Sequence, residues 1–561
     1  MLRLLGPVSA SLTAIRRTLA NDGLRRLEIA WTLGVAADQA LLVVLLVSVY
    51  GRAGVVGVGL LGAFRMVPAV IAGLLSGAAL ERFRSDRILL ALGLTRAVSA
   101  VLVAFVIATT GPTPLLFAMA SIAAAAGAPV RPTQATLMPA FARSPAELVA
   151  ANMAWTTGEG LGAFAGPFLA GLLISVGAPA TGAMVSGGIF LLTSAIVAGL
   201  RFEQAADASG GGHSAGGLRL LDGLRALRRR PVPAWTMVGV YGQVLTRGLL
   251  NALVVVAAVE LLRLGDPGVG MLNAALGFGG LLGAVFALSI ARSNQVVRTQ
   301  AAALAYWGAP IAVIGLFPIP AVAAVSMVVI GIANATYDVA IFTVFQRGCS
   351  NDERAPVFAA FEGVVGLGAV TGSLLAPVLL AGFGARGAMA VGGAILPILA
   401  LVIYSRIGRA DRITVVDEPT IQLLRQVPAF AELPLTALER LAADLDPVAF
   451  PAGTELMHQG DPGDRFIVIE SGEIEVFVDG RLIQRLGPGS GVGEIALLRR
   501  TPRTATVVAV SEVTGYSVGA PAFLAAVSGP AAAAVTERIA AANLARAGAV
   551  DLTALAGIVE A

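Results

Sequence analysis

Between residues 28 and 407 the chain is a succession of apolar runs. Each is roughly 18 to 25 residues long, the length an α-helix needs to cross the hydrocarbon of a bilayer. This constrains the fold more than any other feature, because backbone in lipid must satisfy its own hydrogen bonds. The runs predict twelve spans, with eleven or thirteen as the alternatives, at about 28–50, 54–80, 88–110, 114–131, 147–176, 179–200, 233–262, 268–291, 298–317, 319–345, 356–383 and 386–407. Apolar residues make up 57% of the chain and charged residues 13%, too little polar surface to keep a soluble protein dispersed. The fifth, sixth, eleventh and twelfth runs are rich in Gly and Ala, which suits close helix contact.

Arginine placement orients the spans. All 39 basic residues are arginine. Alternate connections carry Arg82, Arg84 and Arg87, then Arg143, Arg201 to Arg230, Arg292 and Arg298, and Arg347 and Arg354. Arg406, Arg409 and Arg412 follow the last span, whereas the opposite connections carry only Arg52, Arg263 and Arg386. The positive-inside rule then places both termini in the cytoplasm. Trp31 and Trp235 fall at cytoplasmic helix ends, as interfacial anchors would. The first run is too long, and wrongly flanked, for a cleaved signal peptide. Basic residues spread between spans form no patch for nucleic acid. A lone Cys349 excludes an internal disulfide, and His213 and His458 lie too far apart in sequence to suggest a metal centre.

These features divide the chain into a cytoplasmic segment 1–27, a six-helix half 28–200, a loop 201–232, a second six-helix half 233–407, a linker 408–418 and a C-terminal domain 419–561. The loop contains a flexible Gly/Ser stretch followed by the basic amphipathic LRLLDGLRALRRR. Beyond about residue 410 the apolar runs shorten to four to six residues, as in RFIVIE and IEVFV. Gly and Pro punctuate them, as in FPAGTE, QGDPGD and LGPGSG. That pattern predicts a small β-roll of hairpins, with helical stretches before it at 419–444 and after it at 519–547.

Between the second and third spans stands GAALERFRSDR. Its Gly77, Glu81, Arg82 and Arg87 resemble the loop motif of the major facilitator superfamily, with Arg84 where the motif has its second Gly. In the fifth span GAFAGPFLAG supplies Gly162, Gly166, Pro167 and Gly171. It resembles the glycine–proline motif of that superfamily's exporters, and the run from Arg131 to Gly171 resembles the enterobactin-exporter-like branch. The resemblance implies two six-helix halves that rock about a central site, latched on the cytoplasmic side by the charged loop. Charges within spans are costly and often functional. Asp38 and Glu159 are candidates for proton coupling, and Arg65, Arg96 and Arg247 for counter-ions or ligands of an anionic group. Asp338 and Glu362 complete the set. Structural ion pairs are the alternative for each.

The stretch GVGEIALLRRTPRTATVVA, with FPAGTELMHQGDPGDRFIVIESGEIEVFVDG upstream, resembles the phosphate-binding cassette of cyclic-nucleotide-binding domains. One cyclic phosphodiester has to be held without hydrolysis. Arg503 offers a planar fork to its oxygens. Backbone N–H groups from Gly493 to Ala496 add donors, and Gly493 permits close approach. The resemblance implies that Glu494 accepts from the ribose 2′-hydroxyl and that Thr504 bonds the phosphate. Ile495, Val468 and Val507 are expected along the apolar wall. Asn543 or Arg546 is expected to reach the base from a terminal lid helix.

The fold class expected is therefore an all-α membrane protein of the major facilitator fold plus a C-terminal α+β cyclic-nucleotide-binding β-roll. The expected function is a secondary active exporter of a small-molecule substrate in the bacterial inner membrane, regulated by cyclic AMP, with cyclic GMP open. Export of the nucleotide itself and a membrane-tethered receptor without transport are the alternatives. Dimerisation through the terminal helices is open too. No nucleophile–base set, metal cluster or Walker-type loop suggests an enzyme, and no cofactor is expected.

Overall fold

The computed structural model describes residues 20–527 apart from 143–144, 178, 199–215, 229, 291–295, 350, 409–417, 432, 434–436, 439–440 and 443. The chain divides into two compact units, Met1–Asp411 and Arg412–Ala561.

The apolar runs of the first unit become α1 (Asp22–Arg82), α2 (Ser85–Ala108), α3 (Thr113–Gly127), α4 (Val130–Phe141), α5 (Pro145–Ser175) and α6 (Pro179–Ala198). After them come the amphipathic α7 (Gly216–Arg228), then α8 (Pro231–Val256), α9 (Gly265–Ile290), α10 (Val296–Leu316), α11 (Pro320–Gly348) and α12 (Asn351–Ile407). Among the described residues ten helical stretches are long and apolar enough to cross a membrane. Two of these, 22–73 and 356–407, are 52 residues long, over twice the roughly 20 a crossing needs. Each is broken at a glycine: Gly54 at φ 58°, ψ −157° and Gly384 at φ 66°, ψ 178°. A side chain resists that left-handed φ, so glycine is where the chain reverses. Ten stretches, two of them double, make the twelve crossings read from the sequence. One crossing is itself interrupted, where α3 gives way to α4 around Pro129.

Val98, Leu102 and Phe105 stand exposed on one stripe of α2, as a lipid-facing surface requires. Inward, small residues set the spacing. A Cβ on Gly171 of α5 would lie 3.1 Å from the Pro267 carbonyl, and one on Gly270 of α9 would lie 2.5 Å from the Gly171 Cα, so these helices cross at backbone contact. Gly162 and Gly166, one turn apart, face α1 instead, where a Gly166 Cβ would collide with the Ala36 carbonyl. Backbone cannot yield as a flexible side chain does. Gly166→Leu is therefore expected to leave almost no folded protein on size exclusion, whereas Gly188→Leu, which meets nothing within 4 Å, is expected to behave as wild type.

Trp31 packs edge-on against Trp155 of α5, with ring centroids 5.1 Å apart. Trp235 lies under Arg406, 5.9 Å from its ring centroid.

The second unit begins with α13 (Glu418–Gln426), shorter than the helical stretch expected there. Eight strands follow: β1 (Leu445–Phe450), β2 (Glu455–Met457), β3 (Arg465–Ser471), β4 (Ile474–Val478), β5 (Arg481–Leu486), β6 (Gly491–Val492), β7 (Thr506–Ala509) and β8 (Val513–Gly519). Among the described residues, helix α14 (Glu494–Arg499) follows β6 and α15 (Ala520–Val527) follows β8. The strands make two antiparallel sheets of order β1-β8-β3-β6 and β2-β7-β4-β5. Strand β3 is buried on both faces. Phe466 and Val468 pack outward with Phe430 of the turn after α13 and Phe523 of α15, while Ile467 and Ile469 face the roll interior with Val492 and Val507.

Candidate functional sites

In the second unit, strand β6 ends at Gly493, whose φ of 103° turns the chain directly into α14. A Cβ there would lie 2.6 Å from Arg503 Nη1 and 2.9 Å from the Arg465 carbonyl, so only glycine admits the guanidinium so close. Arg503 is 6% exposed. Its Nη1 donates to the Gly493 carbonyl at 3.3 Å, and its Nη2 donates to the Arg465 carbonyl at 2.8 Å and to Asp464 Oδ1 at 3.1 Å. These contacts fix the plane of the fork while leaving the guanidinium positive. Burial pushes the Arg503 pKa down, and Asp464 opposes it. The Asp464 carboxyl is held below the usual carboxylate range, first by its hydrogen bonds from Arg465 and then by the charges of Arg465 and Arg503.

Glu494 is buried at the first position of α14, with Ala496 buried beside it and Ile495 half-buried. Thr504 directly follows Arg503. Gly493, Glu494, Ile495, Ala496, Arg503 and Thr504 are thus gathered at one corner, and Val507 lines the roll interior nearby. Val468 is separated from them: its side chain points to the outer cluster around Phe430 and Phe466. Ile467 and Ile469 take the inner face expected of it, because side chains alternate along a strand. Asn543 and Arg546 lie outside the described residues.

Asp464 was not singled out in the sequence; the signal available was the repeated Gly-Asp in GDPGD. The depressed Asp464 carboxyl has a stability consequence. Its contribution is complete above its unfolded value, near about 3.9, and fades as the pH falls through the lower folded value. Thermal unfolding of the full chain followed toward acid pH is expected to show this loss in the β-roll transition, and Asp464→Asn is expected to flatten it.

In the first unit the charges fall into two groups. Arg96 of α2, 4% exposed, ion-pairs Asp38 of α1, lies 4.1 Å from the centroid of the Phe190 ring, and reaches the Gly34 carbonyl at 3.4 Å. Arg65 acts electrostatically on the same Asp38. Trp31, Gln134, Thr193 and Ser194 complete the wall of a cavity of about 90 Å³ beside this pair.

The second group spans both halves. Arg131 of α4 pairs with Glu159 of α5 at 3.8 Å. These two and Arg247 of α8 all lie within electrostatic reach of Asp338 on α11, and Arg131 also acts on Glu362 of α12. Asn334 donates to Asp338 at 3.0 Å and accepts from Gln243 at 3.0 Å and from Trp307 at 3.1 Å. Glu159, Arg247, Asp338 and Glu362 are therefore brought together, and Arg131, Asn334, Gln243 and Trp307 join them unforeseen. Near the opposite end of the first crossing, Tyr50 donates to Glu260 at 2.5 Å, linking the two halves where α8 ends in a π-helical turn.

Of the loop motif, Arg87 stands in the first turn of α2. Gly77, Glu81 and Arg82 fall in the last turns of α1, and the side chains of Glu81 and Arg82 lie outside what is described. Pro167 lies inside α5, between the Gly162 and Gly166 contacts to α1 and the Gly171 contact to α9.

Comparison with known proteins matches the family profile described as Major Facilitator Superfamily to residues 31–354, and that described as cyclic nucleotide-binding domain to residues 447–529. Over 102 residues the chain is 38% identical to a cAMP-dependent protein kinase regulatory subunit of Emericella nidulans, covering 18% of this chain and 25% of that protein. Over 92 residues it is 46% identical to the acetyltransferase Pat of Mycolicibacterium smegmatis, covering 16% and 28%. The chain thus spans about a quarter of the length of these relatives. Among solved structures it is similar to the regulatory domain of Toxoplasma gondii PKA with cAMP, at 32% identity over 22% of this chain and 49% of that one, with a TM-score of 0.20.

Proposed function

Since this chain belongs to the Major Facilitator Superfamily and carries a cyclic nucleotide-binding domain behind its membrane helices, we propose that it is a secondary active transporter whose cycle is set by bound cyclic AMP. The substrate is a small molecule, and the direction is export across a bacterial inner membrane with both termini cytoplasmic. The two six-helix halves rock about the charged group formed by Arg131, Glu159, Arg247, Asp338 and Glu362, exposing it to one face and then the other. The exporter direction rests on the resemblance of GAFAGPFLAG to the superfamily's exporter motif, and the orientation on the arginine-rich connections.

The observation that carries the regulatory part is Arg503: a buried guanidinium, plane fixed, at a left-handed glycine where a helix begins. A phosphodiester monoanion suits that site, since a bidentate charged fork matches its two free oxygens. Glu494 one residue beyond the glycine serves the ribose hydroxyl. Cyclic AMP is chosen over cyclic GMP on the likeness to the kinase regulatory subunit. Nucleotide binding changes transport only by favouring one access state over the other. A coupling of about 1–3 kcal/mol would change the balance about five- to 150-fold.

Calorimetric titration of the detergent-solubilised full chain tests this reading. One saturable site for cyclic AMP, with weaker heat from cyclic GMP, is expected. Absence of heat from either nucleotide would remove the regulatory role and reduce the second unit to a docking module.

A further inference from the structure

Glu28, on the first crossing of α1, is 7% exposed, and neither carboxylate oxygen has a hydrogen-bond partner. Among the described residues no other carboxylate is in this condition. Its helix neighbours Leu24 and Leu27 pack into an apolar cluster with Leu89, Leu137, Met138, Ala151 and Val197, drawn from α2, α4, α5 and α6.

The charged groups on the elements around it are engaged elsewhere or distant in the chain. On its own helix Asp22 pairs with Arg25 and Arg26, and Asp38 pairs with Arg96. On α2, Arg84 precedes the helix and holds Asp86, with Arg87 next to it. On α4 Arg131 turns to Glu159, and on α5 Glu147 accepts from Asn21. Helix α6 carries no charged residue between 179 and 198.

An ionised carboxylate so placed would be uncompensated, which costs far more than holding a proton. The plug above it is conformational. Asn21 caps α1 by accepting from the Gly23 N–H, and its amide ties the helix start to the Phe141 carbonyl and to Glu147, each at 2.9 Å. Gly23 sits directly on the Phe141 ring. These contacts join α1 to the end of α4 and the start of α5, so a movement that parts them admits water to Glu28.

We propose that Glu28 is the residue at which the transporter takes up and releases its coupling proton, an inference that rests on the transporter reading above. A carboxylate oxygen gains a proton from water to become an O–H and returns it to water when the other face opens; no further reactant is involved. Asp38 and Glu159, the residues the sequence suggests for this role, each have an arginine partner instead.

Trp31, one turn along the helix from Glu28, stacks on Trp155 and supplies a native reporter. Tryptophan emission of the purified full chain would be titrated from about pH 5 to about pH 10, a range that covers a buried carboxyl. A transition is expected in wild type, lost in Glu28→Gln, displaced in Glu28→Asp and kept in Asp38→Asn. In parallel, spin labels at Tyr50→Cys and Glu260→Cys, in a Cys349→Ser background, report separation of the halves. The ratio of separated to closed populations is expected to change about fivefold or more with pH, and to be fixed in Glu28→Gln. An emission transition that survives in Glu28→Gln, or populations that still follow pH in that variant, would overturn the proposal. Populations indifferent to both pH and cyclic AMP, beside a Glu28-dependent emission transition, would overturn the transporter reading and the coupling role with it.

Discussion

Arg503→Ala is expected to weaken cyclic AMP binding at least ~100-fold, from about 3 kcal/mol or more of lost charge-assisted bonding. Removal of the fork takes away the donors that meet the phosphate. It also leaves Asp464 and the Gly493 and Arg465 carbonyls facing the anion without the cation that holds them. Arg503→Lys is expected to recover little, because a point charge cannot hold two carbonyls and a phosphodiester in one plane. Titration calorimetry on the two variants, with thermal unfolding as the control for folding, reads this directly. Glu494→Gln is the companion: it keeps the shape of the site and should cost less than Arg503→Ala, since the ribose hydroxyl is neutral.

Arg96→Ala carries the second large effect. The guanidinium simultaneously pairs Asp38, covers Phe190 and reaches the Gly34 carbonyl inside the first half. Only the Arg96 end of the pair is buried, since the Asp38 side chain is 42% exposed, so the loss is expected to fall below the about 3–5 kcal/mol of a fully buried pair. The variant is therefore expected to lose folded yield and melt early. Adding Asp38→Asn should restore much of the loss, because it removes the stranded charge. A single variant as stable as wild type would show that water in the adjacent cavity of about 90 Å³ already solvates Asp38.

The membrane crossings were legible because hydrophobic length is a one-dimensional property: the observed helices differ from the expected spans mainly at their ends. Gly54 and Gly384 stand where two spans were expected to part. The cassette was legible for a similar reason, since Gly493, Glu494 and Arg503 lie within eleven residues of one another along the chain. What the sequence hid depended on direction or on distant partners. RFIVIE is apolar on both faces of its strand, so no alternation told Val468 from Ile467. Arg131 stood at the end of an expected span with no role attached to it, whereas the helix break at Pro129 brings it to Glu159. Glu28 stands at the edge of the first apolar run, where sequence alone gives no sign of its burial; the cover comes from Leu89, Leu137 and Val197 on three other helices. The polar chain through Gln243, Asn334 and Trp307 comes from three helices and has no sequence signature.

Nucleotide held by Arg503 is expected to change the access state of the membrane helices. The most direct measurement is the distance distribution between spin labels at Tyr50→Cys and Glu260→Cys, in a Cys349→Ser background, with and without saturating cyclic AMP. The separated and closed populations are expected to exchange weight by about fivefold or more when nucleotide is added, and Arg503→Ala is expected to abolish the change. Nucleotide that binds by calorimetry yet leaves both populations where they were would contradict this coupling.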